Sequence, residues 1–240
     1  MPVVKKTTMI FALMTLTIAV WVGCSDNTIV RYVDNPGQSN STEAVETYFP
    51  LNTGYITIYN VTYQSGGSEQ VTFESGKTIS VQGVQTREWI GRSFNTQDTG
   101  YFYASGTALY YYPSKSAQPE KILQLPLSNG TTWQTNDINS NDYTDIITGH
   151  DGDSTDSPGT NSKDFPIATA VNFTVNGVES IQLATGNSYS QAVKISTPNG
   201  TRMNYYWYAP GVGLVRYVIG ATDATYPDGD IVGEIVNYGY

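Results

Sequence analysis

From Tyr48 onward, apolar and polar residues alternate with a period of two along much of the chain, the signature of strands with one buried face. In YITIYNVTY, 55–63, one face carries Tyr55, Thr57, Tyr59, Val61 and Tyr63; the other carries Ile56, Ile58, Asn60 and Thr62. Short runs follow at 69–74, 77–82 and 84–94, parted by Ser75-Gly76 and by Gly83. GYFYAS and TALYYYP meet at Ser105-Gly106, and KILQLPL occupies 121–127. Further on, ATAVNFTV and VESIQLAT flank Asn176-Gly177. Asn-Gly supplies the two positive φ angles of a type I′ turn, so a hairpin is expected there. Two more are expected at Pro198-Asn199-Gly200 and at Pro210-Gly211, where proline ends a strand and glycine permits the reversal. GLVRYVIG and DIVGEIVNY supply the last strands. With no helical stripe after the first 24 residues, this pattern predicts an all-β fold. It is an antiparallel meander curling into a barrel-like or two-layer sandwich domain over 48–240.

The first residues read differently. Lys5 and Lys6 precede an apolar run from Thr7 to Val22, too short for the ~20 residues of a bilayer span. This is the pattern of a signal peptide over 1–23, removed on export. Val22-Gly23-Cys24 follows, and Cys24 is the sole cysteine of the chain. It resembles the lipobox of bacterial lipoproteins, with Trp21 where leucine is usual. That resemblance implies cleavage before Cys24, a diacylglycerol on its thiol, and acyl groups such as palmitate carried by that residue. Two or more chains anchor a protein stably where one is marginal. Ser25 in place of aspartate resembles the outer-membrane sorting pattern. Residues 24–47 then form a polar stretch without periodicity, expected to be the lipidated cysteine and a flexible tether.

Composition narrows the partners. The 240 residues carry a net charge of −9, which becomes −11 once Lys5 and Lys6 are removed. Such a surface repels nucleic acid, leaving the membrane, envelope proteins or glycans as partners. A single cysteine excludes an internal disulfide.

Three motifs go further. Phe49-Pro50-Leu51 with Gly54, LPLSNGTTW at 125–133 and WYAPGVGLVRY at 207–217 resemble those of a loose group of bacterial lipoproteins of unknown function. That group opens with F-P-L-x-x-G-x-x-W-x-Y; here Ile56-Thr57-Ile58 stands where the tryptophan is usual. The resemblance implies an exported, lipid-anchored β domain and carries over no catalytic residue. YFPLNTGYITIYN, 48–60, and LQLPLSNGTTWQTN, 123–136, also echo each other. They share a Pro-Leu, then a glycine, then a strand-like run. A duplicated half is one reading; two independent strand openings is the favoured one, since proline at a strand start is common.

Candidate chemistry is sparse. His150, the only histidine, sits in an acidic, turn-rich insertion at about 137–164, a poor place to hold an imidazole for catalysis. Asp151, Asp153 and Asp156 in that insertion offer oxygen ligands for calcium, but not in the EF-hand pattern. No other cofactor is expected. A glycosidase pair drawn from Glu74, Glu88 and Glu179 depends on spatial proximity that sequence does not supply. The expectation is therefore a non-catalytic binding or assembly protein. One alternative is a glycan-binding module that stacks sugars on Tyr205, Tyr206, Trp207, Tyr208, Tyr110 and Tyr112. Another is a carrier with an apolar cavity. Neighbours in a strand point to opposite faces, so Tyr206 and Tyr208 share one face, Tyr205 and Trp207 the other. Either both faces are covered or one meets a ligand.

Overall fold

Twelve strands follow one another in the computed structural model. They are β1 (Ile56–Tyr63), β2 (Ser68–Val81), β3 (Val84–Arg92), β4 (Gln97–Ser105), β5 (Ala108–Tyr112) and β6 (Glu120–Gln124). Then come β7 (Thr132–Thr135), β8 (Val171–Gln182), β9 (Ser188–Asn199), β10 (Arg202–Ala209), β11 (Gly213–Ala221) and β12 (Ile231–Gly239). The structure describes residues 44–94, 96–135, 171–222 and 229–240. All lie in one of two units of the chain, Gly37–Tyr240. Leader, Cys24, the acidic insertion and Asp151, Asp153 and Asp156 fall outside the described residues.

Every ladder is antiparallel, and the order is β6-β5-β4-β3-β2-β1-β12-β11-β10-β9-β8-β7. The meander curls until β6 and β7 approach each other without pairing, giving a nearly closed barrel. Alternation works as expected in β1: Thr57, Tyr59 and Val61 are buried in the barrel, while Asn60 and Thr62 are exposed.

Two expected breaks are bulges inside long strands. β8 runs straight through Asn176-Gly177, and the register against β9 slips between Val175 and Gly177. Gly177 does take a positive φ of 111°. A positive-φ glycine serves a bulge as well as a turn, and here the ladder on both sides decides for the bulge. The reversal comes later, near Gly186. Ser75-Gly76 is likewise a slip within β2, between Ser75 and Thr78. The turns expected at Gly83, Ser105-Gly106, Asn199-Gly200 and Pro210-Gly211 are all present.

Past each bulge the hairpin leaves the barrel wall and crosses its outside. At the tip of β2–β3, Gln82 Nε2 donates to the Ala117 carbonyl (2.6 Å) beyond β5. Val81 and Ile79 thereby pack on the outward Tyr101, Tyr103 and Tyr112. At the tip of β8–β9, the Ala184 N–H donates to Glu234 Oε2 (2.8 Å) and Thr185 Oγ1 to the Ile235 carbonyl (3.2 Å). That hairpin thus covers the outer face of β10–β12.

These correspondences extend to the strand openings. The Gly54 N–H donates to the Ser75 carbonyl (2.7 Å) and the Ser75 N–H to that of Tyr55 (2.8 Å). In the second half, the Gly130 N–H donates to the Val175 carbonyl (2.9 Å) and the Val175 N–H to that of Thr131 (2.9 Å). Gly54 and Gly130 share positive φ values of 82° and 86°. Thr57 faces Phe73 across β1–β2 as Trp133 faces Phe173 across β7–β8. The echo at 48–60 and 123–136, read from sequence as two independent openings, is therefore one structural device used twice. The openings of β1 and β7 are equivalent in these contacts. A shared Pro-Leu is too common to establish this; matched long-range hydrogen bonds do. The halves differ at their joints: β12 and β1 form a full ladder, whereas β6 and β7 do not pair.

The expected tether ends earlier than 47. Val45–Thr47 form a 3-10 turn, and Val45, Tyr48 and Phe49 join the core. The turn is fastened by the Gly211 N–H, which donates to the Thr47 carbonyl (2.6 Å).

Candidate functional site

The plug formed by 45–50 closes one end of the barrel, and side chains of β1–β4 and of the β10–β11 hairpin converge beneath it. Phe49 wedges between Trp89 and Phe102, with ring centroids at 4.9 and 4.7 Å. Pro50 lies over Gly213, whose φ of 99° and lack of a side chain allow the close approach. Below Phe49 is a cavity of about 30 Å³, whose walls include Thr57, Phe73, Trp89, Tyr208 and Leu214. The volume exceeds the roughly 10–15 Å³ that one water needs, and falls far short of a lipid-carrier cavity of several hundred Å³.

The walls are mostly aromatic, and their polar atoms are largely occupied. Tyr55 Oη donates to the Val212 carbonyl (3.0 Å) and Tyr59 Oη to that of Leu214 (2.5 Å). Thr57 is 3% exposed, and its hydroxyl interacts with the Tyr59 phenol on the same face of β1. The other half shows what this position can hold. There Trp133 lies flat on Phe173, with centroids 5.2 Å apart and planes 3° apart. In the first half, Phe73 has a threonine as its β1 neighbour and meets Trp89 from β3 instead, at 6.1 Å. The cavity lies where the first half lacks its β1 indole.

Sequence reading passed over Phe73 and Trp89 because strand alternation marks them only as core, and it read Phe49 only as part of a motif.

The aromatic row at Tyr205–Tyr208 is not an exposed stacking platform. Tyr205 is 6% exposed, Tyr206 and Trp207 0%, and Tyr208 2%. Tyr206 and Tyr208 face the barrel interior. Tyr205 and Trp207 face outward beneath the β8–β9 hairpin. There the Trp207 indole donates to Glu179 Oε1 (2.6 Å), and Lys194 Nζ and the Arg216 guanidinium lie 5.3 and 5.6 Å from its ring centre. Arg216 also pairs with Glu234 across β11–β12 at 3.5 Å. Both faces are covered because the long hairpin folds back, which local alternation does not foretell.

Tyr112 is likewise buried, under Val81 of the other hairpin. Tyr110 is half-buried and stacks on Tyr103 at 4.9 Å and 11°. The stack covers one face of each ring. Among the carboxylates considered from sequence, Glu74 pairs with Arg92 (2.8 Å) and Glu179 holds Trp207, on separate parts of the wall. Among the described residues, no group of three or more His, Cys, Asp or Glu side chains comes together.

Burial raises the hydroxyl pKa of Tyr55, Tyr59, Tyr189 and Tyr217 above the ordinary value near 10. Tyr63 is raised by burial and by its hydrogen bond to Glu69. Groups with raised folded pKa values contribute stability that is complete below the unfolded value and lost as pH rises past it. The melting temperature should therefore hold to about pH 10 and then fall. Absorbance at 295 nm should show the buried phenols ionising only with unfolding. Reversible ionisation of every tyrosine near pH 10 in the folded protein would contradict this.

Comparison with known proteins adds distant likenesses. No family model and no curated protein matches the chain. Among solved structures, one similar chain is an assigned lipoprotein from Parabacteroides distasonis, at 11% identity and a TM-score of 0.43, covering 80% of this chain and 98% of that one. Another is an assigned exported protein with a YmcC-like fold from Bacteroides fragilis, at 10% identity and a TM-score of 0.38, covering 81% and 99%.

Proposed function

We propose that this protein is a lipid-anchored component of a bacterial cell envelope, held in the outer membrane by acyl groups on Cys24, and that its barrel binds or assembles without catalysis. The observation that carries the reading is the position of the sole cysteine, directly after Gly23 at the end of an apolar leader. Two or three acyl chains there suffice for stable membrane residence. The barrel supports the binding half of the reading. Glu74 and Glu179 are engaged in separate structural contacts, and the small pocket beneath Phe49 has mostly aromatic walls. Envelope proteins or glycans are the partners that a surface of this charge leaves open, and nucleic acid is not among them.

The anchor is tested by expressing the full chain and Cys24→Ala in a bacterial host and separating membranes from soluble fractions. The parent protein should sediment with membranes and incorporate labelled palmitate. Cys24→Ala should incorporate no palmitate and, its leader uncleaved, should be lost from the outer-membrane fraction. Unchanged sedimentation and labelling of Cys24→Ala would reject the anchor.

A further inference from the structure

We propose that Asn199-Gly200, at the tip of the β9–β10 hairpin, is a site of spontaneous covalent modification, closing to a succinimide that hydrolyses to aspartate or isoaspartate. The chain has three Asn-Gly pairs, the others being Asn129-Gly130 and Asn176-Gly177, and the fold selects this one. The proposal is independent of the membrane anchor.

The chemistry needs only water. The Gly200 backbone nitrogen attacks the side-chain carbonyl carbon of Asn199 and gives up its proton to solvent. The bond from that carbon to the amide nitrogen breaks, and ammonia leaves. Water then adds to one carbonyl of the succinimide ring and cleaves its bond to the Gly200 nitrogen. The product is aspartate or, with the main chain rerouted through the side chain, isoaspartate. Nothing is oxidised or reduced. What differs among the three pairs is how the attacking nitrogen is held. The Gly130 N–H donates to the Val175 carbonyl (2.9 Å). Gly177 lies inside β8, paired with Lys194, and the ladder continues on both sides. Gly200 stands outside the ladders, in the turn between Asn199 and Arg202, which pair with each other. Its φ of 60° suits the first central position of a type II′ turn. Gly200 is exposed, and no atom beyond its chain neighbours lies within 4 Å of where a Cβ would stand. Among the described residues, nothing accepts its N–H. Local opening costs little at such a tip, so the rotation that brings nitrogen to carboxamide is easiest here.

The change reaches β11 through Asn204, which is 0% exposed. Asn204 Oδ1 accepts from Asn199 Nδ2 (3.1 Å) and from the Gly220 N–H (3.0 Å), while its own Nδ2 has no partner. A carboxylate in place of the Asn199 carboxamide repels that oxygen. Turning the Asn204 amide over offers Nδ2 to the carboxylate, a charge-assisted bond stronger than a neutral one. The same turn takes the acceptor away from the Gly220 N–H. Modification at the hairpin tip thereby loosens β11 at Gly220.

The test is incubation of the full-length protein in detergent at mildly alkaline pH, folded and in denaturant, with peptide mapping of the three sites by mass spectrometry. Isoaspartate is counted by enzymatic methylation of its carboxylate. In denaturant the three pairs should react at similar rates, because every glycine nitrogen is then free. In the folded protein Asn199 should react at least about fivefold faster than Asn129, the effect of one hydrogen bond on the attacking nitrogen, and faster than Asn176. Asn129 or Asn176 reacting as fast as Asn199 in the folded protein would overturn the site. So would an Asn199 that stays intact in the folded protein while the denatured chain reacts. Asn199→Asp makes one product directly. Exchange of its Gly220 amide should accelerate at least about fivefold, with exchange in β1 unchanged. Unchanged exchange at Gly220 would overturn the coupling through Asn204. If Asn199→Asp does not fold, the ranking of the three sites in the parent protein still decides.

Discussion

Trp207→Ala should destabilise the barrel by about 3–5 kcal/mol, as expected for truncating a fully buried tryptophan. That is a large part of the roughly 5–15 kcal/mol that holds a typical domain together. Trp207 is 0% exposed although it sits on the outside of the wall, because the β8–β9 hairpin lies over it. Removing the indole leaves a void under the hairpin. It also takes the N–H donor from Glu179 and the ring from between Lys194 and Arg216. The loss should therefore appear in two readouts. The urea midpoint should fall, and amide exchange in 179–192 should accelerate more than exchange in β1 or β12. Trp207→Phe keeps most of the packing and should lose less, about 1–3 kcal/mol, from the unmet Glu179 carboxylate. Uniform acceleration of exchange across the barrel would show that the hairpin is not a separately held layer.

Gly233→Ala should be strongly damaging, as should Gly100→Ala beneath Tyr111. Gly233 on β12 lies opposite Tyr217 on β11, and the Tyr217 ring rests against the glycine Cα. A Cβ at this position would fall inside the ring. Tyr217 is 0% exposed and cannot swing to solvent, so the added methyl must displace the ring or spread the ladder. Overpacking of this kind costs about 1–3 kcal/mol, and more where no neighbour can yield. The partner variant gives the decisive comparison. Tyr217→Leu alone should destabilise by leaving a cavity, whereas Gly233→Ala combined with Tyr217→Leu should be more stable than the sum of the two predicts. A coupling of about 0.5–3 kcal/mol is expected from residues in direct contact. Strict additivity in thermal melts would mean that the ring and the glycine are independent.

Much of the architecture was legible before any coordinates. The inward face of β1 follows from the alternation at 55–63, and the turns at Gly83, Ser105-Gly106 and Pro210-Gly211 follow from residues that tolerate reversal. The same rules misplaced Asn176-Gly177 and Ser75-Gly76. A positive φ suits a turn or a bulge equally, and the choice depends on whether a neighbouring strand continues alongside. The aromatic row at Tyr205–Tyr208 was legible as a strand with two apolar faces. Its outer cover was not, because that cover comes from β8 and β9 folding back across three strands.

Local side-chain chemistry thus determined the strand pattern and the all-β class. These are properties of a few adjacent residues, and hydrophobic periodicity is enough to read them. Tertiary structure alone decided that the two Pro-Leu-containing openings are equivalent, that both hairpins wrap the outside, and that a cavity lies beside Thr57 where the other half has Trp133. Each of these depends on which distant strand lies alongside. Closure of the sheet sets that partnership, and sequence spacing does not.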